Sequence, residues 1–591
     1  MEQSFFKLIG VVNVYLKRVK ITNYRMLSDV DMTFDLNVNY LVGRNNIGKT
    51  STLDMIETIL EGKNFQSSDF SNPESPIVVD MTFLLSDDEL GVFGDNFSPE
   101  NKNEVVLTCT QLFPDDRIEF IHKDTESDIS VVQIKRANYV GYSSNVKPVK
   151  ENDLTANYGK YKLIPLLVNS YISSSNEKDN KITESPHEKE LIDFINKNLH
   201  RIKPFEENEV SVGVGSDYSE YITRALTVTD NEGIGFSNLG YGTQFSSLIS
   251  LRIIDQIFNW SRYGKLDTHI VENTSGQHIL NVILCLDEPD VHLHPNLQVK
   301  LMKQVQKMLK GEDNGFNELL KTLFNIDVIS GQLFVVTHSP NVVAGDFTKI
   351  CRFTRRLGDV EVASGSLINL NPKELKMVQQ QMANIKDALF ADAVIIVEGY
   401  TEVGAIPVLA DNIGKSLIDF NVDVIGAGSV TAVPALTKVL SYLKIKSVSI
   451  IDSDGKDRQM KVENLFITDK SDFEDECWSS ITLDELNNYF GDFELYIKGN
   501  EYTGSYWDRT FGDDYKQQRL IPETNISELV EKFLRNLSSD ERAKIKENIR
   551  EDVIKKYFKD KSTLNGRLIA ENISLTPDVY QRAIEVAIKD E

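Results

Sequence analysis

Cysteine is scarce in this 591-residue chain: Cys109, Cys285, Cys351 and Cys477 are its only copies, widely spaced and with no CxxC pair. That excludes a disulfide framework and a cysteine zinc knuckle, and it fits a reducing compartment. Long apolar runs are missing too. None approaches the ~18–20 residues that a membrane-spanning helix needs. The opening MEQSFFKLIGVVNVYLKR has no basic start followed by a long apolar block, so no signal peptide is expected. Positive charge is in deficit, with 64 Lys and Arg against 89 Asp and Glu and a net charge of −25. This argues against coating nucleic acid by bulk charge and leaves room only for a local basic groove. Neither internal repeats nor heptads long enough for a coiled-coil arm occur. What is present is ordinary globular composition, 41% hydrophobic and 26% charged, in a length that suits two to four domains. A soluble cytoplasmic protein is the expectation.

The first 45 residues read as strands (VNVYLKRVKITNY, SDVDMTFDLN, VNYLVG), followed by a helix from about Thr50 with Leu53, Ile56 and Leu60 on one face. β-rich segments continue from Ile77 to Tyr142. Residues 143–230 are polar and irregular, with SYISSSNEKDNK as a loop and a helix starting near His187. NVILCLDEPD and QLFVVTHSP are short apolar runs without alternation that end in polar residues, the pattern of buried parallel strands. A helical stretch from Asn371 to Leu389 leads to a second βα series, ADAVIIVEGYTE, DFNVDVIGAGS and KSVSIIDSDG. The expected division is 1–385 and 386–591, with 143–230 as a partly helical insertion or dimerisation region.

Gly43-Arg44-Asn45-Asn46-Ile47-Gly48-Lys49-Thr50 matches GxxxxGK[ST] between a strand and a helix. Glycines let the backbone wrap a phosphate, and the helix N-terminus faces its charge. Gly43, Asn45, Asn46, Gly48, Lys49, Thr50 and Ser51 are therefore the expected ATP or GTP contacts. Lys49 would neutralise the β- and γ-phosphates, and Thr50 would hold Mg²⁺. Such a loop needs a carboxylate on a neighbouring strand. Asp287 would orient the Mg²⁺ shell, and Glu288 would activate water at the γ-phosphate. His338, after FVVT, could donate a hydrogen bond to that phosphate; a lone histidine after a strand is otherwise structural.

Together with FSNLGYGTQ, LDEPDVHLHP and VVTHSP, this loop resembles the ABC-type ATPases of the RecF/SMC/OLD group. The resemblance makes FSNLGYGTQ a divergent signature, in which Ser237, Gly240 and Gly242 cap the γ-phosphate bound by a second protomer. It makes His292 and His294 part of a structural loop rather than a metal pair. Gln111 is the candidate for the Q-loop.

Further on, Glu398 ends one buried strand, with Gly399 beside it and Glu402 one helical turn later, while Asp452 and Asp454 end another. Apolar strands do not gather acids for stability, because like charges raise each other's pKa. A hard divalent cation, Mg²⁺ or Mn²⁺, removes that conflict; solvated helix caps are the plain alternative. Strand–Glu–Gly followed by strand–Asp-x-Asp resembles the Toprim domain of topoisomerases, primases and certain nucleases. Asp472-Phe473-Glu474 resembles the element that completes a second metal site there. Residues 541–567 carry nine Lys and Arg against five acids, either an amphipathic surface helix or a phosphate-tracking patch. Lys561 lies in KSTLNGRLIAE, which resembles the family's C-terminal lysine region. Tyr400 and Tyr442 stand in no nucleophile context, so a topoisomerase is not expected.

The expected fold class is α/β: an ABC-type (RecF/SMC-like) P-loop ATPase with inserted helical segments, then an α/β Toprim domain with a helical C-terminal extension. That order resembles the OLD (overcoming lysogenization defect) family, including the Gabija A subunit and the OLD-type effectors of some retrons. The resemblance implies a nucleotide-regulated, metal-dependent DNA endonuclease or nickase in prokaryotic anti-phage defence, using ATP and Mg²⁺ or Mn²⁺. It also implies dimers or tetramers through the ATPase half, and a helicase partner or a retron reverse transcriptase with its noncoding RNA. An ATP-gated DNA-binding scaffold of the RecF/SMC kind, with an inactive Toprim domain, is the alternative.

Overall fold

The computed structural model describes residues 14–87, 93, 103–143, 163–174, 186–214, 226–229, 241–273, 275–291, 293–343, 345–453, 462–497, 505–522 and 524–589. The chain forms two compact units, Met1–Leu367 and Ile368–Glu591. The second starts ahead of residue 386 because the helices Pro372–Gln380 and Met382–Ala388 pack onto elements of that unit, the former on the helix Val433–Tyr442. No described helix is long and apolar enough to cross a membrane.

In the first unit, β1 (Val14–Tyr24), β2 (Leu27–Thr33), β4 (Ile77–Leu85), β5 (Glu104–Gln111), β6 (Glu119–His122) and β7 (Ser127–Asp128) form an antiparallel sheet, ordered β2-β1-β4-β5-β6-β7. A second sheet is built from β3 (Val38–Gly43), β8 (Tyr139–Ser143), β11 (Ile270–Glu272), β12 (His278–Asp287), β13 (Val328–Val336), β14 (Ile350–Arg356) and β15 (Asp359–Ser364). Its order is β11-β12-β13-β3-β14-β15, with β8 also paired to β12. The strands β8, β12, β13, β3 and β14 run parallel. β9 (Ser211–Val214) and β10 (Leu226–Thr229) make a separate hairpin.

One apolar core joins the two sheets, with Ile21 and Met32 from the first and Ile283 and Phe334 from the second. Phe34 meets Phe334 edge-on, with centroids 4.9 Å apart. A polar clip adds specificity at this seam. The buried Gln332 amide donates to Leu16 O and Asp35 O at 3.0 and 2.8 Å and accepts from Leu16 N at 2.8 Å, leaving no polar atom of that side chain unsatisfied. Within 143–230, the helices Leu163–Ser174, Pro186–Leu199 and Lys203–Glu207 are described. The expected loop at 170–181 is partly wrong: residues 170–174 complete the first of these helices, whose apolar run LIPLLV favours continuation.

The second unit is built on four parallel strands ordered β17-β16-β18-β19: β16 (Ala393–Val397), β17 (Val422–Gly426), β18 (Lys446–Ile451) and β19 (Leu465–Ile467). Helices follow from Phe473 to Ile588, and they are not an appendage. The last, Asp578–Ile588, packs on β16 and β18, and one core includes Val397, Ile450, Trp478 and Tyr580.

Candidate functional site

The phosphate-binding loop leaves the C-terminal end of β3, where open parallel sheets present ligands. Two glycines make its path possible. Gly43 has φ 141°, and a Cβ there would lie 2.4 Å from Phe353 O; Gly48 has φ 99°, and a Cβ would lie 2.7 Å from Leu27 Cδ2. Asn46 adopts φ 54° between them. Gly48 caps the helix Lys49–Leu60, so the first amides of that helix face the loop. Buried Lys49 donates to Gly43 O at 2.9 Å and Arg44 O at 2.6 Å, holding the loop closed around its own ammonium. Burial pushes its pKa down to about 8, against the opposing pull of Glu288 and Asp287.

Asp287 does not come from the strand beside β3, as the sequence reading expected. β13 lies between β12 and β3. The helix Lys49–Leu60 packs on β3, β12 and β13, and Thr50 Oγ1 donates to Asp287 Oδ1 at 3.1 Å. Burial raises Asp287 to about 6, with Glu288 adding repulsion and the Thr50 bond opposing it. Glu288 takes a left-handed backbone, φ 49°, fixed by its N–H to Val336 O at 2.9 Å. Strain of this kind in a non-glycine residue costs of order 1–3 kcal/mol and gathers at functional sites. His338 Nε2 stands 3.7 Å from Glu288 Oε1. Burial and Lys49 hold His338 below the usual imidazole range, so the ring is neutral near pH 7 and can keep one N–H for a ligand.

Several neighbours escaped the sequence reading. Arg25 donates to Asp54 at 2.7 Å, to Asp69 at 2.9 Å and to Ser51 Oγ at 3.2 Å. The Ser51 hydroxyl is therefore engaged by an arginine, and its backbone amide is what remains for a phosphate. Thr337 Oγ1 donates to Asp290 at 2.9 Å and Ser339 Oγ to Gln298 Oε1 at 2.7 Å, tying the loop after β12 and the helix Pro295–Leu309 to the loop after β13. His294 caps the helix Pro295–Leu309, accepting from Asn296 N. Gln111 is fully buried and bonds the backbone of Phe65, Phe113 and Pro114; this saturation removes it as a Q-loop candidate. Ser237, Gly240 and His292 lie outside the described residues, and Gly242 is the second residue of the helix Tyr241–Arg262.

In the second unit, β16 and β18 are adjacent and parallel, with Ile396 paired to Ser449. Glu398 and Asp452 therefore leave the same sheet edge. Glu402 is 7% exposed and accepts from Gly399 N at 3.4 Å as a helix cap. Glu474, equally buried, follows Asp472. Burial pushes Asp452 up to about 8, with Glu402, Glu398, Asp472 and Glu474 all adding repulsion. Glu474 rises to about 7, chiefly through burial and then through Asp472 and Glu402. Burial also raises Glu402, with Glu398 adding to it and Lys561 opposing. Asp472 is partly engaged elsewhere: it caps the helix Phe473–Ser480 through Asp475 N at 2.9 Å and pairs with Lys559 at 3.1 Å. Lys559 was missed by sequence reading, which had singled out Lys561, two residues on and exposed. Asp454 lies outside the described residues.

Among the described residues, no three His, Cys, Asp or Glu side chains already stand close enough to enclose an ion. The donor chemistry nonetheless fits a hard divalent cation. Buried carboxyl groups that raise one another's pKa are relieved by 2+ charge and supply oxygen ligands.

Residues 15–210 and 166–343 match the AAA ATPase domain family, together more than half of the chain. Residues 389–454 match the family described as overcoming lysogenization defect protein-like, TOPRIM domain. The chain belongs to the OLD family of ATPase–Toprim fusions. This OLD-family chain is also similar to the DNA replication and repair protein RecF of Actinobacillus succinogenes, 45% identical over 53 residues, covering 9% of this chain and 15% of that protein. RecF of Pasteurella multocida is 43% identical over 53 residues, with the same shares. The chain thus spans about one-seventh of the length of these curated relatives. Among solved structures, the Smc head domain of Pyrococcus furiosus bound to the C-terminal domain of ScpA aligns at TM-score 0.33 and 15% identity, covering 62% of this chain and 99% of that one. The recombination mediator RecF in its ATPrS complex aligns at TM-score 0.32 and 12% identity, covering 59% and 98%.

Proposed function

We propose that this OLD-family protein is a nucleotide-regulated, divalent-metal-dependent DNA endonuclease or nickase. One observation carries the reading: Glu398 and Asp452 leave neighbouring parallel strands at one edge, with Glu402 and Glu474 buried beside them. Glu398, Asp452 and Asp454 would hold Mg²⁺ or Mn²⁺, assisted by Glu402, Glu474 and Asp472. The ion would supply Lewis acidity and neutralise charge on the scissile phosphate. The chain's own part is to bring a DNA phosphate to that edge. The Lys561 ammonium, whose charge acts on Glu402, offsets negative charge building on phosphate oxygens.

In the first unit, the loop amides and Lys49 would take the nucleotide's phosphates, and Thr50 and Asp287 would hold Mg²⁺. Glu288 accepts the proton of the attacking water, and His338 donates to the γ-phosphate. Ser237, Gly240 and Gly242 act from a second copy, making a dimer, or a tetramer, the unit of hydrolysis. A prokaryotic anti-phage role in the cytoplasm follows from the family resemblance, in a Gabija-like setting with a helicase or beside a retron reverse transcriptase.

The test is nicking or linearisation of supercoiled plasmid by purified protein with Mg²⁺, Mn²⁺ or EDTA. Divalent-dependent cleavage that disappears in Asp452→Ala supports the nuclease. ATP-dependent DNA binding without cleavage would leave the scaffold reading in its place.

A further inference from the structure

The segment bearing Lys559 and Lys561 is held more firmly than an exposed lysine loop requires. The helix Ser539–Val553 runs into a π-turn, Ile554–Phe558, and Lys559 N donates back to Ile554 O at 3.0 Å. Turns this wide are rare and gather at functional sites. Just beyond it, the fully buried Asn565 gathers the chain around itself. Its amide nitrogen donates to the carbonyls of Tyr557, Phe558 and Asp560 at 2.8, 3.0 and 3.0 Å. Two N–H groups are shared among three acceptors, so one bond is bifurcated. Its oxygen accepts from Tyr489 O–H at 2.8 Å, and its backbone N–H donates to the capping Ser562 Oγ at 3.1 Å.

The next residue fixes this knot against the acid site. A Cβ on Gly566 would fall 1.8 Å from Thr401 O, and one on Gly404 would fall 1.9 Å from Thr563 O. The helices Thr563–Glu571 and Tyr400–Asn412 therefore cross backbone against backbone. The second of these begins directly after Glu398 and Gly399 and carries Glu402. Lys559, on the same segment, reaches Asp472 at 3.1 Å.

We propose that Asn565 is a positioning residue, whose clamp on 557–560, together with the Gly404–Gly566 crossing, presents Lys559 and Lys561 to the carboxylate cluster. Its consequence for DNA cleavage rests on the nuclease reading above; the clamp itself does not. A residue that only satisfied stray carbonyls would affect folding of the whole helical region, whereas a presenting residue acts on two lysines and, through Lys561, on turnover.

The experiment uses the full chain. Metal-free wild type, Asn565→Ala and the milder Tyr489→Phe, which removes only the bond to the Asn565 oxygen, are pulse-acylated, and each lysine is read by mass spectrometry. Lys559 should label about five-fold faster in Asn565→Ala, and less so in Tyr489→Phe, as its Asp472 neighbour is lost. The exposed Lys307 and Lys415 should not change. Plasmid cleavage by Asn565→Ala should fall in kcat about 10–100-fold with KM for DNA within about twofold, and adding it to Lys561→Ala should bring no further loss. Unchanged labelling at Lys559, faster labelling throughout the chain, or losses that multiply with Lys561→Ala would each overturn the proposal. A wild type that cleaves nothing would end the nuclease reading, while the labelling would still decide the clamp.

Discussion

Asp287 and Asp452 occupy matching positions, at or just past the end of a buried parallel strand, yet the protein treats them differently. Asp287 has Thr50 hydrogen-bonded to it and Lys49 acting on it, and burial raises it only to about 6. Asp452 faces Glu402, Glu398, Asp472 and Glu474 and rises to about 8. The first site brings its own cation and is wired before any ligand arrives. The second accumulates repulsion inside the fold, which Lys559 on Asp472 and Lys561 acting on Glu402 offset only in part. A loop that receives a polyphosphate needs a resident positive charge; an acid cluster that receives a metal needs the reverse.

The largest expected effects separate the two sites. Asp452→Ala should lower DNA cleavage by at least about 10³-fold, as losing a metal-holding carboxylate does, with ATP binding unchanged in filter or fluorescence assays. Lys49→Ala should weaken nucleotide binding by at least about 100-fold while leaving metal uptake at the second site intact. Glu288→Gln should keep ATP bound and lose hydrolysis; unchanged phosphate release would remove Glu288 from the role of base.

A smaller effect sharpens the contrast in pH. The folded pKa values of Asp452 and Glu474 are raised, to about 8 and about 7, so the folded state binds more protons than the unfolded one between the ordinary carboxylate range and those values. Stability of the metal-free protein therefore falls as pH climbs from about 4 to about 8 and levels off above. Asp452→Asn should flatten that fall and raise the melting temperature at pH 8 in EDTA by roughly 3–6 °C, with little change at pH 4. An equal gain at both ends would show that charge is not the cause.

What was legible in the sequence was short-range. GRNNIGKT, LDEPD, VVTHSP and VIIVEGYTE each hold a strand end and its polar residues within ten positions, so the elements and their acids could be read directly. Strand order could not be read: β13 comes between β3 and β12 because neighbours in a parallel sheet are chosen by packing across hundreds of residues. The same limit hid Arg25, whose partners Asp54 and Asp69 lie on later elements, and the Asp472–Lys559 pair. It also hid the return of Asp578–Ile588 to β16 and β18. Nothing in KSTLNGRLIAE sets Asn565 apart; only the folded backbone shows three carbonyls converging on it.

The most direct measurement of the account is Mn²⁺ titration by electron paramagnetic resonance on nucleotide-free Lys49→Ala protein, in which the ATPase site is disabled. The account predicts at least one bound Mn²⁺ per chain, lost when Asp452→Asn is added. Equal Mn²⁺ uptake by the two proteins would contradict it.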